Sequence, residues 1–229
     1  DSSELDNPSK SLVLISAFDG IGGARRAMEL LSITPALSVS CETDKDCREV
    51  VTEAWPDVVH VPSVEELNKE VIQALLKPYK QLKKGILVGG PPCQPFSGLN
   101  KQRGGFKDER SNGITMFARL YKDLKDAAPH IQWAGLCENV ASMTQVMSES
   151  ITETLSEAYR NGWQNCYHFD AAILAQVRRP RLYWPSWKIE GLGELKVEGP
   201  GVSRRRVSSF DEPYLKRCKP PIGAFLDEG

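Results

Sequence analysis

The first group in this chain that can do chemistry is a cysteine at the mouth of a sheet. Cys93 stands in Gly89-Gly90-Pro91-Pro92-Cys93-Gln94-Pro95-Phe96-Ser97-Gly98, directly after the apolar run Ile86-Leu87-Val88. Pro91 and Pro92 fix φ, remove two N–H donors and force an extended turn. The thiol therefore sits on a loop at the carboxyl end of a strand, where it suits a nucleophile. Taken alone, a free cysteine is more often a small buried hydrophobe. Two other segments change that reading. Cys137-Glu138-Asn139-Val140 closes a later strand and sets a carboxylate beside the same crevice, although a surface acid or helix cap would look the same. Arg179 and Arg181 alternate in Val177-Arg178-Arg179-Pro180-Arg181-Leu182-Tyr183-Trp184, so an extended segment presents both guanidinia on one face. Guanidinia in such a place hold a carbonyl oxygen, a carboxylate or a phosphate.

A fourth segment points to a cofactor. The run Phe18-Asp19-Gly20-Ile21-Gly22-Gly23 joins the first apolar strand to a helix. Glycines at such a turn let backbone approach a ligand and bare the helix N-terminal N–H groups. Glu42 follows Gly22 by about twenty residues at the end of the second strand, where an acid commonly takes both hydroxyls of a ribose. The spacing departs from Gly-x-Gly-x-x-Gly, which argues against a dinucleotide. Asp19 would repel a pyrophosphate but attract the ammonium of S-adenosylmethionine.

These groups need elements to position them. Apolar runs predict strands at Leu12–Ala17, Ala36–Cys41, Ile86–Val88, Trp133–Cys137, Trp163–Phe169 and Leu182–Trp184. Helical periodicity predicts helices at Ala24–Leu31, Asp46–Trp55, Val64–Leu76, Gly113–Ala127 and Ser150–Tyr159. The alternation implies an α/β fold with a mostly parallel sheet and helices on both faces. Residues 1–10 read as a flexible lead-in and 11–187 as one catalytic domain. After Trp187 the periodicity fades into glycine-rich sequence, so 188–229 reads as a linker or the start of another region.

Composition removes several classes. The six cysteines (41, 47, 93, 137, 166, 218) form no Cys-x-x-Cys pair and the three histidines are scattered, so no metal site is expected. The cysteines read as reduced thiols of an intracellular protein. No apolar run approaches membrane-spanning length, and the polar N-terminus does not resemble a signal peptide. Net charge is −1, yet basic residues gather late in the chain, at Arg178, Arg179, Arg181, Arg204, Arg205, Arg206, Lys216, Arg217 and Lys219. Such a flank can meet phosphate or merely be solvated.

Phe18 to Gly23, Pro91-Pro92-Cys93-Gln94, Glu138-Asn139-Val140 and Arg179-Pro180-Arg181 together resemble the ordered motifs of the cytosine carbon-5 DNA methyltransferases, over about Leu12 to Trp184. The resemblance implies a Rossmann-like S-adenosylmethionine-dependent fold. It implies Cys93 as the nucleophile that adds to carbon 6 of a flipped cytosine, Glu138 as the acid near ring nitrogen 3, and Arg179 and Arg181 as contacts to the base carbonyl that steady the Cys93 loop. It implies Phe18, Asp19, Gly20, Gly22, Glu42, Thr43 and Pro92 as cofactor contacts. The segment from Ser97 to Asn112 resembles the loop that closes over the base. The implied partner is duplex DNA, with RNA as a second possibility because one branch of the family methylates transfer RNA. The implied location is the nucleus of a eukaryote, or otherwise the cytoplasm and nucleoid.

The match has gaps. The acid that members place after the second helix is replaced by His60-Val61-Pro62-Ser63, leaving Ser63 as a substitute. Val177 stands where many members carry Gln, with Gln176 one place earlier. The final cofactor motif and most of a target-recognition domain are not among these residues, which implies one domain of a longer protein and leaves a non-catalytic relative as an alternative.

Overall fold

A computed structural model describes residues 8–92, 112–160, 166–174, 176–189, 192, 195–197 and 204–207. The elements are β1 (Leu12–Ala17), α1 (Gly23–Leu30), β2 (Leu37–Cys41), α2 (Lys45–Ala54), β3 (Val59–Val61), α3 (Lys69–Leu76), β4 (Lys84–Gly89), α4 (Asn112–Ala127), β5 (Gln132–Val140), α5 (Gln145–Tyr159), β6 (Cys166–Asp170), β7 (Pro180–Pro185), β8 (Leu195–Val197) and β9 (Arg204–Val207). The nine strands form one sheet in the order β3-β2-β1-β4-β5-β7-β6-β9-β8. β3 through β5 are parallel, whereas β7 runs antiparallel to both β5 and β6.

The chain moves outward from β1 to β3, then returns to the other side of β1 for β4 and β5. With right-handed crossovers, that reversal puts α1 and α2 on one face and α3, α4 and α5 on the other. Hydrogen bonds agree for α5, where Trp184 Nε1 donates to Thr152 Oγ1 at 2.8 Å and Tyr159 Oη donates to the Trp184 carbonyl at 3.0 Å. The large apolar side chains lie on this second face, with Leu87, Phe117, Leu120, Leu124, Leu155, Leu182 and Trp184 fully buried. The α1–α2 face is thinner and more polar. Thr52 of α2 meets His60 of β3, whose cross-strand neighbours in that row are Ser40 and Ser16. The order reverses between β1 and β4, and ligands of open α/β sheets bind at such a point, beyond the carboxyl ends of the strands.

Most predicted elements stand within one or two residues of their expected bounds. The helix expected over Val64–Leu76 begins only at Lys69, because the Asn68 side chain accepts from Val71 N and caps it there. Val64 and Leu67 lie outside the helix, yet both are buried, which is why their spacing looked helical. The helix expected from Ser150 starts at Gln145, capped by Thr144. Strand β3 went unread because three residues give no periodicity. β8 and β9 lie beyond Trp187, where the pattern had faded. Trp163–Asn165 fall outside the described residues, and β6 is described from Cys166.

Packing leaves no room for a side chain at Gly135. A Cβ there would fall 2.7 Å from Tyr159 Cε1 and 3.0 Å from Tyr121. Gly135→Ala is expected to lower stability by about 2 kcal/mol, the usual scale of overpacking. Urea denaturation reads this directly, and an unmoved midpoint would contradict the placement of β5 against α4 and α5.

Candidate active site

The turn after β1 is built from unusual backbone. Phe18 has φ 54°, Gly20 φ 57° and Gly22 φ 85°. A left-handed phenylalanine is uncommon, and its presence marks a turn held by its surroundings. Asp19 N donates to the Cys41 carbonyl at 3.2 Å and Gly22 N to the Asp19 carbonyl at 3.2 Å. Gly22 caps α1 without a side-chain hydrogen bond, so no side chain of the cap covers the helix start. A Cβ on Gly20 would meet nothing within 4 Å, which leaves this backbone open to a ligand.

Glu42 faces that turn from the end of β2. Its Oε2 accepts from Gly20 N at 2.8 Å and its Oε1 from Asp44 N at 2.9 Å, with Thr43 Oγ1 at 3.4 Å. A carboxylate has about four lone-pair positions, so acceptor capacity remains for ribose hydroxyls. Arg48, not singled out in the sequence, steadies this corner by donating from Nη1 to the carbonyls of Glu42 and Thr43, each at 2.7 Å. Thr43 itself is exposed. Burial pushes the Asp19 carboxyl above its usual value, partly offset by the Ser40 and Ser16 hydroxyls and reinforced by the charge of Glu42. Ser40 Oγ has no partner in hydrogen-bond geometry, so it acts on Asp19 as a nearby dipole.

The opposite wall comes from β4, β5 and β7. Because β7 is antiparallel, Arg181 at its start pairs with Val140 at the end of β5, and Tyr183 stands opposite Glu138. Arg181 Nε lies 2.7 Å from Glu138 Oε1, both side chains being mostly buried. Its Nη1 donates to the Pro180 carbonyl at 2.9 Å. Arg179 forms no ion pair with Glu138, although its charge, like that of Arg181, acts on the neighbouring Tyr183 hydroxyl. Arg179 is exposed just before β7, and its backbone N–H donates to Asp170 Oδ1 at 2.8 Å. The extended alternation that would align the two arginines begins only at Pro180.

The Cys93 loop is tied to the same wall at its root. Asn139 Nδ2 donates to the Pro91 carbonyl at 3.1 Å, and Asn139 is buried. A Cβ on Gly90 would sit 3.0 Å from Glu138 Oε2, so the carboxylate lies over this backbone. Asn139 lay inside a recognised motif but had no assigned role, since its function is a tertiary hydrogen bond. Tyr183 was missed as well. Burial raises its hydroxyl, and the charge of Glu138 raises it further. Pro92 is exposed at the end of the described segment. Cys93 and the loop over residues 97–111 lie outside the described residues. Of the cysteines that are described, burial pushes Cys41 up to about 12 and Cys137 well upward, so neither is a nucleophile near neutral pH.

The segment replacing the family acid is also placed. Pro62 is exposed, and Ser63 Oγ donates to Glu66 Oε1 at 3.4 Å. His60 bonds Thr52 Oγ1 at 3.0 Å through Nε2. Val177 is exposed, as is Gln176. Among the described residues no His, Cys, Asp or Glu cluster could hold a metal, and no helix is long and apolar enough to cross a membrane.

The sheet order and the open glycine turn fit the Rossmann-like fold of S-adenosylmethionine-dependent methyltransferases. The family model for C-5 cytosine-specific DNA methylases matches residues 12–183, and the chain belongs to that family. It is 26% identical over 114 residues to DNA (cytosine-5)-methyltransferase DRM2 of Arabidopsis thaliana, covering 47% of this chain and 18% of that protein. It is 31% identical over 113 residues to type II methyltransferase M.AquIA of Picosynechococcus, covering 48% of this chain and 43% of that protein. The crystal structure of Spodoptera frugiperda DNMT2 superposes with a TM-score of 0.55 at 16% identity, covering 76% of this chain and 49% of that one. The chain thus spans less than half the length of these relatives.

Asp19 gives a pH test of the turn. The folded carboxyl holds its proton to higher pH than an ordinary one at 3.8, so the folded state binds more protons in the window above that value. Stability contributed by this group therefore falls as pH rises through the window. Asp19→Asn is expected to melt higher than the wild type at neutral pH while binding S-adenosylmethionine more weakly. Melting curves should show that advantage shrinking as the pH drops to about 4, and a pH-independent difference would mean the carboxyl is solvated.

Proposed function

We propose that this chain is the catalytic lobe of an enzyme that methylates carbon 5 of cytosine in duplex DNA. The observation that carries the reading is the Glu138–Arg181 pair, whose carboxylate lies over Gly90 beside the Pro91 carbonyl held by Asn139, at the same strand-end rim of the sheet as the Gly20 turn and Glu42. In this reading residues 11–187 carry the catalytic motifs, and 188–229, whose β8 and β9 extend the same sheet, lead into a target-recognition region. Such an enzyme works where DNA is, in the nucleus of a eukaryote or the nucleoid otherwise.

Carbon 5 of cytosine is a weak nucleophile. Addition of the Cys93 thiolate to carbon 6 forms a carbon–sulfur bond and pushes the ring electrons toward carbon 5 and nitrogen 3. Glu138 delivers or shares a proton at nitrogen 3, which keeps charge from building on the ring. Arg181 holds the carboxyl in place and offers remaining N–H donors to the base carbonyl. Asn139 fixes the loop root, so the sulfur approaches from one direction. Glu42, Asp19 and the turn Phe18 to Gly22 hold the cofactor, with Thr43 and Pro92 at its rim. Bound S-adenosylmethionine would supply an electrophilic methyl group to carbon 5, its sulfonium leaving as a neutral thioether; a base then removes the carbon-5 proton and the carbon–sulfur bond breaks, which releases the Cys93 thiolate and restores the ring. A base inside a duplex cannot reach this crevice, so the cytosine must be flipped out at a cost of a few kcal/mol.

Pro62 in place of the family's acid favours a second reading, a relative with weak cofactor affinity and a regulatory role. Trapping separates the two. With S-adenosylmethionine and DNA carrying 5-fluorocytosine, the full chain should form a denaturant-stable adduct that Cys93→Ala abolishes. Transfer RNA carrying the same analogue serves as the parallel arm, and trapping there instead would reassign the substrate. No adduct from cofactor-saturated protein would overturn the catalytic reading. Glu138→Ala should lower kcat by about 10²–10⁴, the range of a general acid, measured by tritiated methyl incorporation.

A further inference from the structure

Gly22 and Trp55 are far apart in sequence and meet in the fold. A Cβ on Gly22 would lie 2.5 Å from Trp55 Cζ3 and 3.2 Å from Val51 Cγ2, so the indole rests directly against the glycine backbone. Trp55 is the C-cap of α2, where its N–H donates to the Val51 carbonyl at 2.8 Å. Arg25, in the first turn of α1, sets its guanidinium carbon 5.9 Å from the centre of the same ring. That distance is within the range of a cation–π contact.

Arg25 is an odd choice for this position. It is 7% exposed, its Nε has no hydrogen-bond partner, and among the described residues its ion pair is Asp57 at 3.8 Å. A buried guanidinium costs free energy unless something offsets it, and an aliphatic side chain would fill a helix–sheet interface without that cost. The layer around it is sparse in large apolar groups, and every buried side-chain polar atom without a partner among the described residues lies in it (Arg25 Nε, Ser38 Oγ, Ser40 Oγ and His60 Nδ1). From this side the turn is held by Val51 and by the indole with its cation, not by a dense apolar layer. The ring and the cation occupy the place where such packing would be.

We propose that Trp55, held by Arg25, is a positioning residue for S-adenosylmethionine. The ring backs the left-handed Gly22, and through it keeps Gly20 N–H on Glu42 and the start of α1 open to the ligand. Neither side chain touches the reacting atoms. The inference rests on the reading of this turn and Glu42 as the cofactor site. Preorganised backbone binds more tightly because it loses less freedom on binding.

The test uses the full chain with three readouts: calorimetric Kd for S-adenosylmethionine, steady-state KM and kcat, and melting temperature. Trp55→Leu should raise the cofactor Kd and KM by about tenfold, with kcat at saturating cofactor and the KM for DNA within about twofold. Trp55→Phe keeps a ring against Gly22 and should fall between the two, at about threefold. It also keeps the test open if the leucine variant does not fold. Glu42→Ala is the reference. Weakened binding in Glu42→Ala with wild-type Kd in both Trp55 variants would overturn the inference and leave the site reading intact. Unchanged Kd in Glu42→Ala would overturn the site reading itself. A lower melting temperature with unchanged Kd would mark Trp55 as merely structural and equally overturn the proposal.

Discussion

The site depends on one antiparallel pairing. Every strand from β3 to β5 runs the same way, so their carboxyl ends gather on one rim of the sheet. β7 enters against that direction, and so its first residues, not its last, reach the rim. This places Arg181 beside the end of β5 and lets its Nε close to 2.7 Å from Glu138. A parallel β7 would have carried the arginine to the far end of the sheet and left Glu138 without a cation. The pair is charge-assisted and only partly solvated, and both conditions strengthen it relative to a surface bridge.

The two halves of the crevice are held by different means. The Glu138 wall rests on a dense apolar layer beneath β5 and β7, in which α5 also takes up polar groups: Trp184 Nε1 donates to Thr152 Oγ1 and Tyr159 Oη to the Trp184 carbonyl. The glycine-turn wall rests on hydrogen bonds between side chains and backbone, with Glu42, Asp44 and Arg48 linking the ends of β1, β2 and the start of α2. The layer behind it is thin and partly polar. A rigid wall suits positioning of a thiol loop and an acid. A wall defined by backbone N–H groups suits recognition of hydroxyls, since few side chains intervene between ligand and main chain.

Much of this was legible in the residues. The apolar runs marked most of the strands because burial on both faces needs continuous hydrophobicity. The glycine turn, Glu42, Glu138 and Arg181 were legible because their chemistry fixes residue type and their place at strand ends fixes spacing. Arg179 was grouped with Arg181 on alternation and on the shared motif, and it is Arg181, inside the strand, that pairs with Glu138. Asn68 started α3 later than expected, because a side-chain cap outweighs apolar periodicity at a helix start. Asn139, Arg48 and Tyr183 could not be found by pattern. Each acts through a contact with a chain segment distant in sequence or through a backbone carbonyl, and such contacts leave no local signature.

The sequence by itself determined the family, and with it the class of chemistry, because ordered motifs of fixed residue type run through residues 12–183; it also marked the candidate nucleophile, acid and cofactor carboxylate. Only the tertiary structure decided which arginine meets Glu138, what anchors the root of the Cys93 loop, and that a tryptophan at the end of α2 backs the cofactor turn. Those outcomes follow from strand direction, register and layer packing, which arise when distant segments compete for the same buried space.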